Sequence, residues 1–286
     1  MAARTDACDT GTRATSEVLP TRRSRGRSGR VWAAVWPKAL AVAIAVGVWQ
    51  LVVWSGWKRE VILPSPFTVF DTFFQERSDL WEATINTMTR AVRGYVIALM
   101  IGGGLGLAVA RSRILRSAIG SMITGLQTMP SIAWFPAAIV LFQLSESAIL
   151  FVVLLGAAPS IANGLIHGVD HISPMLLRAG RVLGARGLTL VRTVILPAAL
   201  PSFVGGLKQG WAFAWRSLLA GELIVRLGKH SLGEQLTTAR DLANYPSMYA
   251  AMLMILIVGI AIDALVFGRA DRWLRRRYGL IDAAEA

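Results

Sequence analysis

Leu177 to Pro201 reads LRAGRVLGARGLTLVRTVILPAALP and lies between two apolar runs, near residues 147 to 168 and 200 to 226, each long enough to cross a membrane. A connection of this length is ordinarily polar and rich in Gly or Pro. This one alternates Arg178, Arg181, Arg186 and Arg192 with Leu, Val and Ile, breaks at Gly184, and is expected to stop at Pro197 and Pro201. The pattern predicts two short amphipathic helices joined by a hinge, built to be gripped by another protein.

Composition fixes the solvent. Of 286 residues, 54% are hydrophobic and only 16% charged, with a mean hydropathy of +0.53. That apolar content exceeds what one soluble core of this size requires, so the chain reads as an all-α integral membrane protein. The formal charge of +13 does not indicate nucleic acid, because the arginines cluster at the ends of apolar runs and form no single basic face. Cys8 is the only cysteine, which excludes an internal disulfide and a cysteine metal cluster.

About 20 apolar residues cross the hydrocarbon, and this ruler gives six spans. They fall near residues 36 to 55, 92 to 110, 117 to 143, 147 to 168, 200 to 226 and 249 to 268. Leu144, Ser145 and Glu146 alone separate the third from the fourth, so a tight hairpin joins them. Pro130 and Pro136 in the third span and Pro159 in the fourth predict kinks. Residues 1–34, with Arg22, Arg23, Arg25, Arg27 and Arg30 among Ser, Thr and Gly, are expected to form a disordered basic tail. The membrane domain is expected over 35–275, with the connecting loop at 174–201, and a second tail over 276–286.

With a cytoplasmic amino terminus, the alternating inside segments carry twenty Lys and Arg residues and the outside segments eight. Lys208 and Arg216 lie within span five. The positive-inside rule thus places both termini and the 177–201 loop of a multi-pass membrane protein in the cytoplasm. Arg90 and Arg93 precede span two on the outer side, where they are expected to snorkel or face protein.

The loop resembles the conserved cytoplasmic loop of ABC-importer permeases, the inner-membrane components of binding-protein-dependent transport systems. That signature runs Glu-Ala-Ala, three residues, Gly, nine residues, Ile, one residue, Leu-Pro. Ala179 fills the first alanine position, Gly184 the glycine, Val194 the isoleucine, and Leu196-Pro197 the terminal pair. Arg178 stands where the family has Glu, and Gly180 where it has the second Ala. The resemblance extends over roughly residues 60 to 268, including Leu63 to Pro66, Pro130 to Pro136 and Gly221 to Ile224, and is greatest to the branch importing nitrate, taurine and aliphatic sulfonates.

The resemblance implies a type I importer permease fold with six spans and cytoplasmic coupling helices. It also implies two ATP-binding subunits docked on the loop, an extracytoplasmic binding protein, and a second permease copy. The docking set is Arg178, Ala179, Gly180, Arg181, Leu183, Gly184, Leu188, Val191, Val194, Leu196 and Pro197. Apolar Leu183, Leu188, Val191 and Ile195 are expected to enter a groove on the ATPase while Arg181, Arg186 and Arg192 meet an acidic rim. The same arginines also suit a helix lying on anionic lipid.

No G-x-x-x-x-G-K-[ST] run is present, so ATP and Mg²⁺ are expected to reach the machine through a partner ATPase and no cofactor is expected on this chain. Gly102, Gly103, Gly104 and Gly106, with Gly206 and Gly210, instead predict close helix packing. A membrane hydrolase would rely on His167 and His171, four apart and next to Asp170, but the group lacks a zincin glutamate and falls at a span end, which favours an interfacial cluster. A secondary transporter would need coupling acids, and Glu222 and Asp263 are the few available. The chain therefore reads as a transport subunit and not an enzyme.

Two groups are candidates for the pathway. Lys208, Trp211, Trp215 and Glu222 fall within about 60° of one another on span five, either as a pore lining or as a helix seam. Gln127, Ser131 and Trp134 surround Pro130, where a broken span would bare backbone carbonyls.

Overall fold

Apolar segments in lipid must satisfy their own backbone, and the computed structural model, which describes residues 27–228 and 230–278, is helical with no strand among those residues. In order the helices are α1 Arg27–Trp54, α2 Pro66–Gln75, α3 Arg77–Arg111, α4 Arg113–Thr128, α5 Phe135–Phe142 and α6 Glu146–Asp170. There follow α7 Pro174–Val182, α8 Gly187–Leu190, α9 Leu196–Ile224, α10 Leu232–Asp241, α11 Tyr245–Ile262 and α12 Gly268–Arg277. The chain divides after Trp54 into two units, and α1 is the described part of the first. Five helical runs have the length and apolarity of a span, and the bent pair around Pro130 makes a sixth. The helix α1 starts at Arg27, ahead of the boundary expected at 34; residues 1–26 and 279–286 of the expected tails lie outside the described residues.

The core forms around α6, whose apolar stretch is 72% buried against 28% for α3. It packs lengthwise between α3 and α9, and small residues set the approach. A Cβ on Gly102 would lie 2.4 Å from the Ala158 carbonyl oxygen, and one on Gly164 would lie 2.5 Å from the Gly206 Cα. Gly106 and Gly210 sit at similar crossings, whereas Gly103 and Gly104 face open space and take no part. Val152, Val153, Ile149, Ile161 and Leu218 fill the rest of the core.

Proline acts differently at each position. Around Pro130 the span bends by 102° between α4 and a 3₁₀ turn, Ser131–Trp134, that leads into α5. Pro136 sits in the first turn of α5, where its missing N–H costs nothing, so no kink arises there. Pro159 lies inside the uninterrupted α6.

The expected stop at Pro197 and Pro201 does not occur, because helix runs unbroken from Gly187 to Ile224. A π-turn over Val191–Ile195 precedes Pro197, with the Leu196 N–H donating to the Val191 carbonyl. Pro201 cannot donate to the Pro197 carbonyl four residues earlier. The Tyr278 hydroxyl donates to that carbonyl instead, at 2.5 Å, and so ties the end of α12 to the start of α9.

Candidate functional site

The segment from Pro174 to Ile195 is a hairpin of helices at one end of the bundle. Gly184 closes α7 with φ +87° and Gly187 opens α8 with φ +54°, backbone conformations that side chains resist. The N–H of Ala185 donates to the Gly180 carbonyl at 3.0 Å and that of Gly184 to the Arg181 carbonyl, which satisfies the end of α7. Val182 and Leu183 are each 86% exposed, and Leu188 and Met175 stand out beside them. Arg178, Ala179, Arg181, Gly184 and Leu196 are exposed as well.

Four members of the predicted docking set, Gly180, Val191, Val194 and Pro197, are turned inward or only half-exposed, as is Ile195. Gly180 is buried, and a Cβ there would fall 2.9 Å from Val194 Cγ2 and 3.1 Å from Leu190 Cδ1. Gly180 and Val194 thus form the inner seam of the hairpin, and Val191, Ile195 and Pro197 are only half-exposed. Met175, Val182, Leu183 and Leu188 face outward, and of these Met175 and Val182 lie outside the predicted set.

At the broken span, Gln127, Pro130 and Ser131 line a cavity of about 380 Å³ together with Gly156, Phe213 and Arg216. Gln127 is held by α6, donating to Ser160 Oγ at 2.9 Å and accepting from Asn163 Nδ2 at 2.6 Å. Ser131 Oγ accepts from Ser217 Oγ at 2.7 Å. Trp134 is absent from this wall; it packs against the apolar core.

Between α9 and α11 a second cavity, about 640 Å³, is lined by Lys208, Trp211, Trp215, Arg216, Met252 and Asp263 among others. Lys208 pairs with Asp263 at 2.9 Å. Trp211 stacks edge-on against Tyr95, whose hydroxyl donates to the Leu207 carbonyl.

Glu222 does not belong to this groove, although its helical angle places it on the same stripe. It is 1% exposed, because at its height that face is covered by α3 and by the start of α10. Its carboxylate accepts from Arg90 at 3.0 Å, from Thr87 Oγ1 and from the Gly233 N–H, while Thr87 Oγ1 accepts from the Leu232 N–H. Arg90, 5% exposed, thus faces protein, and Arg93 lies 3.7 Å from Glu146. Both candidate coupling acids, Glu222 and Asp263, are held in ion pairs.

Asp170 is turned to Arg116, at 2.6 Å, and His171 Nδ1 lies 2.9 Å from the His167 carbonyl. Opposite the hairpin end, Asp241 is exposed and bonded by Arg226 and Arg240. Those guanidinium hydrogen bonds, Arg226 first, hold its carboxyl below the usual carboxylate range. Arg216, which is not among the predicted pathway residues, lines both cavities.

A family model described as the binding-protein-dependent transport system inner membrane component matches residues 94–278. The putative aliphatic sulfonates transport permease protein of Escherichia coli strain K12 is 31% identical over 243 residues, covering 84% of this chain and 91% of its own. The nitrate import permease protein of Leptolyngbya laminosa is 28% identical over 245 residues, covering 82% and 86%. A chain of the methionine ABC transporter solved in inward-facing form superposes with a TM-score of 0.59 at 19% identity, over 70% of this chain and 98% of that one, a likeness of fold.

Proposed function

Since this chain belongs to the inner-membrane components of binding-protein-dependent transport systems and is an ABC-importer permease subunit, we propose that its exposed hairpin face receives a soluble ATPase and that its cargo is a small anion, foremost an aliphatic sulfonate. The observation that carries the docking reading is the pair Val182 and Leu183, each 86% exposed beside a glycine hinge. Apolar side chains held that far from their own core lose free energy in water unless a partner covers them. The surrounding Arg178, Arg181 and Arg186 suit an acidic rim on that partner.

In this reading both termini and the hairpin are cytoplasmic, in keeping with the excess of Lys and Arg on that side. Two ATPase subunits bind ATP and Mg²⁺ and dock one on each of two permease copies, and an extracytoplasmic binding protein delivers cargo to the opposite face. ATP-driven closure of the ATPases draws the two hairpins together and rocks the spans between inward-facing and outward-facing forms. The anion assignment is supported by the sulfonate and nitrate permeases among the relatives; taurine, a zwitterion, carries the same sulfonate group.

The test is copurification with the ATPase encoded for the same system. Gly184→Asp places a side chain at φ +87° and a charge at the hinge. It is expected to abolish copurification while the protein still inserts in the membrane. Wild-type recovery of the ATPase would overturn the docking reading.

A further inference from the structure

Three ionised residues lie along span five. Two are neutralised within the chain, Lys208 by Asp263 at 2.9 Å and Glu222 by Arg90 at 3.0 Å. Arg216 is not. Its Nε donates to the Ala212 carbonyl of its own helix at 3.0 Å, and its guanidinium carbon sits 5.0 Å from the Phe213 ring centroid. Among the described residues no carboxylate pairs with it.

An ionised side chain inside a span is costly unless it meets water or a counterion. Arg216 meets space. It lines the 380 Å³ cavity at the broken span and the 640 Å³ groove between α9 and α11. Among the described residues no carboxylate lines the first, and Asp263, the acid of the second, is taken by Lys208. The first cavity also offers a donor. Ser131 Oγ accepts its hydrogen bond from Ser217 and keeps its own proton to donate. The Phe213 ring lies beside the guanidinium, whose planar fork matches two oxygens of a sulfonate or nitrate.

We infer that Arg216 is the anion-binding residue of the translocation path, taking the oxyanion of the cargo as its counterion with Ser131 beside it. The inference rests on the importer reading above and adds to it a charge-reading residue within the membrane. Lys208 cannot serve in this way while Asp263 holds it. Eight residues separate Arg216 from Ile224, about 12 Å of helix, so a lipid headgroup phosphate is the competing source of the same chemistry.

The test uses the permease reconstituted with its ATPase and binding protein, and labelled butanesulfonate and nitrate as probes. Cys8, the only cysteine, is replaced by Ser. On that background Arg216→Cys is expected to lower ATP-driven uptake by at least about tenfold, the scale of a lost charge-assisted hydrogen bond. A methanethiosulfonate reagent carrying an ammonium group should restore uptake, the sulfonate-bearing reagent should not, and the transported probe should slow modification. Arg216→Lys should retain uptake with a raised KM. Copurification of the ATPase at wild-type yield shows that the variants assemble.

Wild-type uptake by Arg216→Cys, or equal recovery with both reagents, would overturn the assignment of Arg216 while leaving the importer reading in place. Modification that the probe does not slow, with uptake dependent on lipid charge, would assign Arg216 to a headgroup and overturn it as well. A wild-type complex that shows no ATP-stimulated uptake of either probe would overturn the anion reading and this inference with it.

Discussion

Arg216 and Glu222 stand six residues apart on one helix, and their surroundings are opposite. Glu222 is 1% exposed and its carboxylate is saturated by Arg90, Thr87 and the Gly233 amide. Arg216 has a carbonyl of its own helix, a neighbouring ring and two cavities. The first charge joins α3, α9 and α10 into one body. The second is left facing space. An ionised residue in a span therefore acquires its role from what covers that height of the helix, and the same residue class serves architecture at one level and a ligand at another.

The largest effect is expected from breaking the saturated site. Glu222→Ala leaves the Arg90 guanidinium buried without a counterion and strips an acceptor from the first turn of α10, and removal of one member of a buried pair costs about 3–5 kcal/mol. The purified variant should melt far below wild type or fail to accumulate, and Arg90→Met with Glu222→Leu should recover most of the loss. Arg216→Gln strands no buried partner, so its cost should stay within about 0.5 kcal/mol. Equal melting losses in Glu222→Ala and Arg216→Gln would erase the contrast between the two sites.

Lys208 is the intermediate case, since it faces the same groove as Arg216 but is paired, with the side chains of Lys208 and Asp263 about half exposed. Asp263→Asn should cost no more than about 1 kcal/mol, as exposed pairs do. It would also release Lys208 into the groove as a second free cation. If pairing is what separates Lys208 from Arg216, the KM of ATP-driven anion uptake should fall in Asp263→Asn. An unchanged or raised KM would mean that position along the helix, and not freedom from a partner, distinguishes the two cations.

The bend of the hairpin is legible in the sequence and the pairing of the charges in span five is not, for a physical reason. Gly184 and the spacing to Leu196-Pro197 are local signals, and the positive φ at Gly184 is what that residue type announces. Which face of the hairpin points outward was less legible, because Gly180 meets Val194 only when the two helices fold back on each other. In span five neither Lys208 nor Arg216 has an acid three or four residues away. Their difference is made by Asp263, 55 residues further along the chain. Glu222 is likewise decided by Arg90, 132 residues earlier. Helical angle alone put Glu222 in the groove stripe, since periodicity reports direction around a helix and not which neighbour lies there. The fate of the prolines is also non-local: Pro201 is accommodated because Tyr278, at the end of α12, takes the carbonyl that it orphans.

The smallest effect belongs to the exposed counterpart of the buried pair. Asp241 receives hydrogen bonds from Arg226 and Arg240 at the end opposite the hairpin, and these hold its carboxyl below the usual range. A carboxyl depressed in the folded state contributes stability that is fully present above its unfolded value, near pH 4, and is lost as pH falls through the lower folded value. Asp241→Asn should therefore melt slightly below wild type at pH 7 and match it at pH values under that folded value. The group is fully solvated, so raising NaCl from 0.05 to about 0.5 M should shrink the pH 7 difference by screening. The loss in Glu222→Ala should persist at the higher salt, because ions do not reach a side chain that is 1% exposed. A salt-insensitive Asp241→Asn, or a Glu222→Ala loss that salt removes, would show that burial does not separate these two arginine–carboxylate sites.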